Sequence, residues 1–265
     1  MAIESKLKKE RLFLRFTLAR LKNYFIRMKT SLYAAIILCA FIMMTVLYLG
    51  GYDLAKQSLE VSVTLSGIVF IFLFLVIRDD NPVDIVKSGA EGEHIVLEEL
   101  KKLDNNFVLM NSVILPDEKS SIGTREIDFI AISRKCVYIV EVKNNRGHIE
   151  VENMADRWKV EKTSQYNNVY EKTIKNPIRQ TFAQKKVLQT FLYNERVYIK
   201  GIPFVTVVVF ANEDAKLSDI FIADDANQAV VQLEHLIPFI ENKDGYLEEM
   251  SSKSRKKMIK FLEKK

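Results

Sequence analysis

Two long apolar runs near the N-terminus differ in pattern from the shorter runs that make up the rest of the chain. Residues 32–49 and 61–77 contain no charged side chain. Each run approaches the roughly 20 apolar residues with which a helix crosses a bilayer. The intervening residues, 50–60, are few and carry charges. This pattern predicts two transmembrane helices joined by a loop, and the alternative is a hydrophobic helical hairpin buried in a soluble core.

After residue 88 the apolar residues recur either at helical spacing or in short runs rich in β-branched side chains. The first pattern predicts helices and the second predicts strands. The predicted helices are 89–103, 176–193, 226–240 and 246–263, and the predicted strands are 107–115, 127–133, 136–143, 148–151, 157–161 and 202–211. This alternation predicts an α/β domain, and the very apolar strand at 202–211 is expected at its centre.

Positive charge is concentrated at the N-terminal end. Residues 1–30 hold nine Lys or Arg and two Glu, while the whole chain has a net charge of +5, so the remainder is slightly acidic. Apolar side chains at helical spacing predict a basic amphipathic helix here, and they are Leu14, Leu18, Leu21, Phe25 and Met28. Such a helix can bind an anionic membrane, with nucleic acid as the alternative partner. Because basic residues precede the first span, both chain ends are expected in the cytoplasm.

Three charged residues interrupt two adjacent apolar strands in the middle of the chain. Glu141 and Lys143 point to the same face of their strand, because side chains alternate along a strand. An antiparallel hairpin brings Asp128 to the same end of the sheet, and two carboxylates beside a lysine suit a hard divalent cation. The alternatives are structural. Asp128 could pair with Arg125 or Arg146, and Glu141 and Lys143 could simply neutralise each other.

Two predicted helices contribute further candidates. Glu93 lies on the core-facing side of the first helix, and Gly92 beside it allows the helix to approach the sheet closely. Asn176 followed by Pro177 predicts the start of the second helix. Gln180 then lies on an inward-facing stripe that also includes Gln184. A structural role for Gln180, as an amide that satisfies buried polar groups, is the alternative.

Five short motifs in this order resemble the PD-(D/E)XK nuclease superfamily and, more narrowly, the nuclease-related domain, NERD. They are Gly92-Glu93, Ile127-Asp128, Glu141-Val142-Lys143, Asn144 with Gly147, and Asn176-Pro177-Ile178-Arg179-Gln180. Phe129 stands where the family often has a histidine after the aspartate. The resemblance covers about residues 89–211, and it implies a restriction-endonuclease-like αβββαβ core with a mixed sheet.

The resemblance also implies roles for these residues. Asp128, Glu141 and the carbonyl of Val142 would bind Mg²⁺ or Mn²⁺. Lys143 would orient or deprotonate a water, or offset charge in the transition state, and Glu93 and Gln180 would orient Lys143 or metal-bound waters. The substrate would be nucleic acid, with DNA favoured. Candidates for contacts with its phosphates are Arg125, Arg146, Arg157, Lys159 and Arg179.

The sequence as a whole predicts a membrane-anchored, metal-dependent nuclease. Its expected segments are a basic arm at 1–30, transmembrane helices within 31–78, a linker at 79–88, a nuclease-related domain at 89–222 and C-terminal helices at 223–265. The alternative is a membrane-tethered adaptor that binds nucleic acid or protein on a nuclease-like fold without cleavage. The slightly acidic soluble part favours the adaptor, since duplex-binding surfaces are usually basic. The complete set of carboxylates and lysine favours the nuclease.

Overall fold

The computed structural model describes most of the chain after residue 81 and only short stretches before it. The described residues are 3–4, 28–29, 32–34, 36–37, 40–41, 67–68, 71, 82–163, 168–223 and 227–265. The chain divides into two compact units, residues 10–87 and residues 1–9 together with 88–265. The predicted basic arm and both predicted transmembrane helices lie almost wholly outside the described residues. Among the residues that are described, no helix has the length and apolar character needed to cross a membrane.

The few described residues of the two apolar runs are helical, and their large side chains are exposed. Ile37 and Phe41 in the first run are 69% and 67% exposed, and Ile68 in the second is 59% exposed. In the basic arm, Met28 and Lys29 are helical, whereas residues 3–4 form a short strand instead of the predicted helix. This strand pairs in parallel with Val108 and Leu109, so sheet hydrogen bonds replace helical ones at that point.

The regular elements are numbered here in chain order. The strands are β1 (Ile3–Glu4), β2 (Val108–Pro116), β3 (Thr124–Ile132), β4 (Val137–Lys143), β5 (Gly147–Ile149), β6 (Arg157–Thr163), β7 (Val169–Lys175), β8 (Phe204–Phe210), β9 (Ala215–Leu217), β10 (Phe221–Ile222) and β11 (Gln228–Gln232). The helices are α1 (Pro82–Leu100), α2 (Pro177–Asn194), α3 (Leu233–Gly245) and α4 (Ser252–Leu262).

Within the described residues, seven strands form one mixed sheet in the order β1-β2-β3-β4-β8-β11-β10. The β2–β3 and β3–β4 pairs are antiparallel, while β4–β8 and β8–β11 are parallel. The α/β class and the mixed sheet predicted from the sequence are therefore confirmed. All residues of β8 are buried, as expected for a central strand covered on both faces.

Helices cover both faces of this sheet. On one face, Val96 and Leu100 of α1 and Ile240 of α3 are buried against the sheet. On the other face, Leu188 of α2 and Met258 of α4 are buried in the same way. The helices after residue 222 thus pack on the same sheet as α1 and α2.

A second sheet, in the order β7-β6-β5-β9, lies beside the first. Its apolar side chains pack with the central strands of the large sheet, and the buried members of this cluster include Ile149, Trp158, Val160, Val208 and Phe210. The predicted strands near 148 and 157 are therefore present. The sequence did not predict β7, whose residues are almost all exposed and follow no alternating pattern.

Three predicted boundaries are wrong at their N-terminal ends. The helix predicted from 226 starts at Leu233, because Gln228–Gln232 is a strand parallel to β8. The central residues of this strand, Ala229, Val230 and Val231, are buried in the cores on either side of the sheet. Such an environment favours a strand that contains β-branched residues. The last helix starts at Ser252 instead of 246. The predicted linker is helical from Pro82, since proline is well tolerated in the first turn of a helix.

Candidate active site

Asp128 lies where the pairing of β3 with β4 stops. The last registered pair joins Phe129 to Val140. One residue further along, Asp128 Oδ2 accepts a hydrogen bond of 2.8 Å from the Val142 backbone N–H, so this side chain takes the place of a strand carbonyl. Ser112, which faces this position from β2, has a φ of 48°, a conformation uncommon for residues other than glycine. Regular strand pairing is thus interrupted on both sides of Asp128, at Val142 on β4 and at Ser112 on β2. As a result, the Asp128 carboxylate lies at the end of β4.

Glu141 and Lys143 share one face of β4, as predicted, and both contact α2. Lys143 Nζ lies 2.5 Å from Glu141 Oε1 and donates a hydrogen bond of 3.1 Å to Gln180 Oε1. Gln184 Nε2 donates a hydrogen bond of 2.7 Å to the other oxygen, Glu141 Oε2. Glu141 is only 2% exposed. A buried carboxylate requires such partners, and here an ammonium and an amide provide them.

Asn176 fixes the start of α2 and therefore the position of both glutamines. Its Oδ1 accepts a hydrogen bond of 2.9 Å from the Ile178 N–H, which caps the helix. Its Nδ2 donates to three loop carbonyls, those of Glu152, Asn153 and Ala155. Gln180 and Gln184 follow four and eight residues after the cap. They therefore lie on one face of the helix, which is the face toward Glu141 and Lys143.

On the other side of β4, α1 approaches the strand end closely. A Cβ atom at Gly92 would lie 2.8 Å from Cβ of Asn144, which is closer than real contacts allow. The close approach predicted for this glycine is thus present. Asn144 Nδ2 in turn donates a hydrogen bond of 2.7 Å to the Ser88 carbonyl. Glu93, the next residue of α1, is half-buried, and its charge acts on Asp128.

The carboxyl group of Asp128 is perturbed by its surroundings. Burial, followed by the negative charges of Glu141 and Glu93, raises the pKa of Asp128 to about 8. The Val142 N–H and the Lys143 ammonium oppose this rise in pKa but do not cancel it. The fold therefore favours a proton on Asp128 over a second full negative charge beside Glu141.

The carboxylate oxygens at this end of the sheet fit a hard divalent cation. Within the described residues, however, no group of three or more His, Cys, Asp or Glu side chains is arranged to hold a metal ion. Asp128 and Glu141 could supply two oxygen ligands, and other ligands would be the Val142 carbonyl and water. The residues fit a metal by their chemistry, but they do not form a closed site of protein ligands.

A cleft of about 780 Å³ opens beside these residues. Its lining comes from the loop before β3 and the first residues of β3, from the start of β6 and the residue before it, from the end of β7, and from the cap and first turns of α2. The lining residues are Ser120, Thr124, Arg125, Glu126, Asp156, Arg157, Lys175, Asn176, Arg179, Gln180, Ala183 and Gln184. Gln180 and Gln184 belong both to the cleft and to the hydrogen bonds around Glu141 and Lys143. The cleft therefore adjoins the candidate catalytic residues.

The five predicted phosphate contacts do not lie together. Arg125, Arg157 and Arg179 line the cleft. Arg146 instead lines a separate polar cavity of about 450 Å³. Lys159 lies on the exposed face of β6, with its Nζ 3.9 Å from Glu150. The structure thus brings three of the five to the candidate site and leaves two elsewhere.

The cations of the cleft differ in how they are held. Arg125 donates a hydrogen bond of 2.7 Å to Asp117, and this contact lowers the pKa of that carboxyl. Arg179 is paired with Asp156. Arg157 donates to the side chain and carbonyl of one threonine on β7. Lys175 has no hydrogen-bonding or ion-pairing partner for its ammonium within the described part of the chain.

Lys175 was not identified from the sequence, because β7 was not predicted. In the structure it lies directly opposite Arg157 in the β6–β7 ladder. Like charges at opposed positions destabilise a sheet. Two opposed cations at the edge of a cleft are therefore suited to an anion.

The contacts of Asp128, Glu141 and Lys143 differ from those of a purely structural arrangement. Asp128 does not depend on Arg125, since that guanidinium contacts Asp117. Glu141 and Lys143 do pair with each other, but α2 adds one amide contact to each of them. Trp158 is buried, stacks on Phe210 and donates its indole N–H to a backbone carbonyl, so it packs the core and does not face the cleft.

The α/β domain places two carboxylates, a lysine and a glutamine at one end of its sheet, which is the arrangement that the resemblance to nuclease-related domains implies. Residues 88–211 match the family model of NERD, the nuclease-related domain. The matched region extends from within the first half of α1 to just beyond β8 and includes all the candidate site residues. No curated protein and no solved structure gives a significant match to the chain.

Proposed function

We propose that this protein is a divalent-metal-dependent nuclease of the PD-(D/E)XK type that hydrolyses phosphodiester bonds of nucleic acid, with DNA as the favoured substrate. The observation that supports this most is the contact of Glu141 and Lys143 with Gln180 and Gln184, two residues that also line a cationic cleft. The helix–three strands–helix–strand order around these residues agrees with a restriction-endonuclease-like core.

In this proposal Asp128, Glu141 and the Val142 carbonyl would hold Mg²⁺ or Mn²⁺. A divalent cation held there would supply Lewis acidity, to polarise the scissile phosphate and to lower the pKa of a water. Lys143, held by Glu141 and Gln180, places an ammonium where it can orient that water or offset negative charge in the transition state. Glu93 completes the acidic environment from α1.

Arg125, Arg157, Lys175 and Arg179 bind the phosphates on either side of the reacting one. Each lines the cleft, so a nucleic-acid strand that occupies it meets positive charge along its length. The acidic partners of Arg125 and Arg179 hold these two guanidinium groups in place, while Lys175 carries a charge that no described carboxylate neutralises.

We further propose that the chain is anchored in the cell membrane by the apolar runs at 32–49 and 61–77, with the nuclease-related domain in the cytoplasm. The exposed helical side chains of Ile37, Phe41 and Ile68 support this proposal, because large apolar side chains left in contact with water are unfavourable and are suited to lipid. The basic residues before the first run support both the membrane contact and the orientation.

The test is cleavage by the full-length protein in detergent or lipid nanodiscs. Single-stranded DNA, duplex DNA and RNA are offered with Mg²⁺, Mn²⁺, Ca²⁺ or EDTA. We expect cleavage with Mg²⁺ or Mn²⁺ and none with EDTA. The control is the Glu141→Gln variant, purified in parallel, which excludes a contaminating nuclease. Cleavage that persists in EDTA, or equally in the variant, would contradict the proposal.

A second candidate function is a non-cleaving adaptor that binds nucleic acid in the same cleft. The absence of a ready-made group of three ligating side chains among the described residues favours it. The ion pair between Glu141 and Lys143 also favours it, because this pair already neutralises the Glu141 carboxylate without a metal ion. Binding of nucleic acid without cleavage under any divalent cation, with unchanged affinity in EDTA, would establish the adaptor in place of the nuclease.

A further inference from the structure

Gln184 lies outside the five motifs, yet its side chain joins α2 to both carboxylate-bearing strands. It is 1% exposed. Its Nε2 donates two hydrogen bonds, one of 2.7 Å to Glu141 Oε2 on β4 and one of 3.1 Å to the Glu126 carbonyl on β3. Glu126 is two residues from Asp128. A single amide group thus joins the helix to both strands that carry the candidate metal ligands.

The orientation of this amide is fixed by its surroundings. A flip would place the amide oxygen against the Glu141 carboxylate and the Glu126 carbonyl, which are both acceptors. In the observed orientation, the Gln184 Oε1 atom is buried and has no hydrogen-bond partner among the described residues. A buried acceptor without a partner destabilises a protein. An amide that fills its position for stability alone would not be left in this state.

We propose that Gln184 is a positioning residue that holds the Glu141 carboxylate in its reactive orientation. This inference rests on the proposed nuclease function. Lys143 holds Oε1 and Gln184 holds Oε2, so together they fix the plane of the carboxylate. Without the Gln184 donor, Oε2 loses its only described hydrogen bond, and the buried carboxylate can turn about its side-chain bonds. Metal binding and chemistry then suffer, while substrate contacts in the cleft remain.

The experiment uses the full-length protein and the Gln184→Met variant, which keeps the side-chain length and removes the donor. The matched control is Gln189→Met, on the same helix but outside the site. Three quantities are measured: kcat and KM for cleavage, Mn²⁺ affinity without substrate, and the midpoint of thermal unfolding. Loss of a residue that supports a metal ligand typically lowers activity or metal affinity about 10–100-fold, and we expect kcat and Mn²⁺ affinity of the variant to fall in this range with KM nearly unchanged. Gln189→Met is expected to match the parent.

The outcomes are distinguishable. A Gln184→Met variant with the parent's kcat and Mn²⁺ affinity overturns the inference and leaves the nuclease function intact. A loss of kcat that disappears when the variant is assayed well below its unfolding midpoint also overturns it, because the role is then only structural. A parent that does not cleave with any divalent cation overturns both proposals.

Should Gln184→Met not fold, Gln184→Glu replaces it. This variant keeps the size of the side chain but faces Glu141 with an acceptor. We expect at least as large a fall in kcat. A folded Gln184→Glu variant with the parent's kcat refutes the positioning role.

Discussion

Replacement of Asp128 by Asn tests the electrostatics of the site through the pH dependence of stability. In the metal-free fold, burial together with Glu141 and Glu93 raises the pKa of Asp128 from 3.8 to about 8. The folded protein therefore keeps a proton on Asp128 that the unfolded chain has already released. The stabilisation from this proton is complete below the unfolded pKa, declines as the pH rises between 3.8 and about 8, and is absent at higher pH.

The magnitude follows from the size of the shift. Each pKa unit corresponds to about 1.4 kcal/mol, so the full shift corresponds to about 6 kcal/mol. Because water reaches the half-buried Asp128 side chain, we expect roughly half of this, about 3 kcal/mol, between pH 4 and pH 8. Asp128→Asn remains neutral throughout this range, and its amide oxygen can still accept from Val142. The variant should therefore lack this decline and exceed the parent in stability near pH 8.

Urea unfolding in EDTA at several pH values measures this difference. Trp158 is the only tryptophan in the sequence and is buried, so its fluorescence reports the unfolding of this unit. Asp219→Asn, at an exposed position, is the control and should follow the parent. Mn²⁺ at about 100 times its dissociation constant should stabilise the parent by about 2.7 kcal/mol and Asp128→Asn by much less. Stability curves that run parallel for the parent and Asp128→Asn would refute the reasoning.

Three further predictions concern chemistry, substrate binding and topology. Lys143→Met should slow single-turnover cleavage by about 10²–10⁴-fold while Mn²⁺ still binds, and an unchanged rate would make Lys143 only a partner of Glu141. Lys175→Ala should raise KM. It should also lower the slope of the logarithm of the binding constant against the logarithm of the salt concentration by about the contribution of one phosphate contact. Lys253→Ala on α4 should leave both quantities as in the parent. A cysteine in place of Lys56 should react with an impermeant reagent from outside the cell, and a reporter at Lys265 should be protected. The reverse pattern of labelling would invert the proposed topology.

The parts of the site that the sequence predicted depend on short-range rules. Alternation along a strand places Glu141 and Lys143 on one face, and the antiparallel pairing of two consecutive strands brings Asp128 beside them. The Asn176 cap fixes the phase of α2, and that phase decides where Gln180 points. Each of these inferences involves residues near in sequence or joined by one tight turn, so little tertiary information was needed.

The parts that the sequence did not predict depend on how distant elements cross. Gln184 lies on the stripe of α2 that faces the core, and only its contact with Glu126 and Glu141 distinguishes it from a buried packing residue. Lys175 lies on an exposed strand without alternation, so neither the strand nor its position opposite Arg157 could be inferred. The strand character of Gln228–Gln232 likewise depends on its place beside β8, because its apolar residues also fit a helix.

The charge balance at the end of β4 gives a physical reason to regard this group of residues as a functional site. The negative charges of Glu141 and Glu93 both act on Asp128, and Lys143 is the one cation among the described residues whose charges do so. A core selected only for stability would not keep a carboxyl whose pKa is raised in this way, since an amide of the same shape removes the penalty. Local arrangements that lower stability are expected where function requires them. On the proposed function, a divalent cation at this position would relieve the mutual repulsion of these carboxylates, so residues that lower the stability of the fold would favour metal binding.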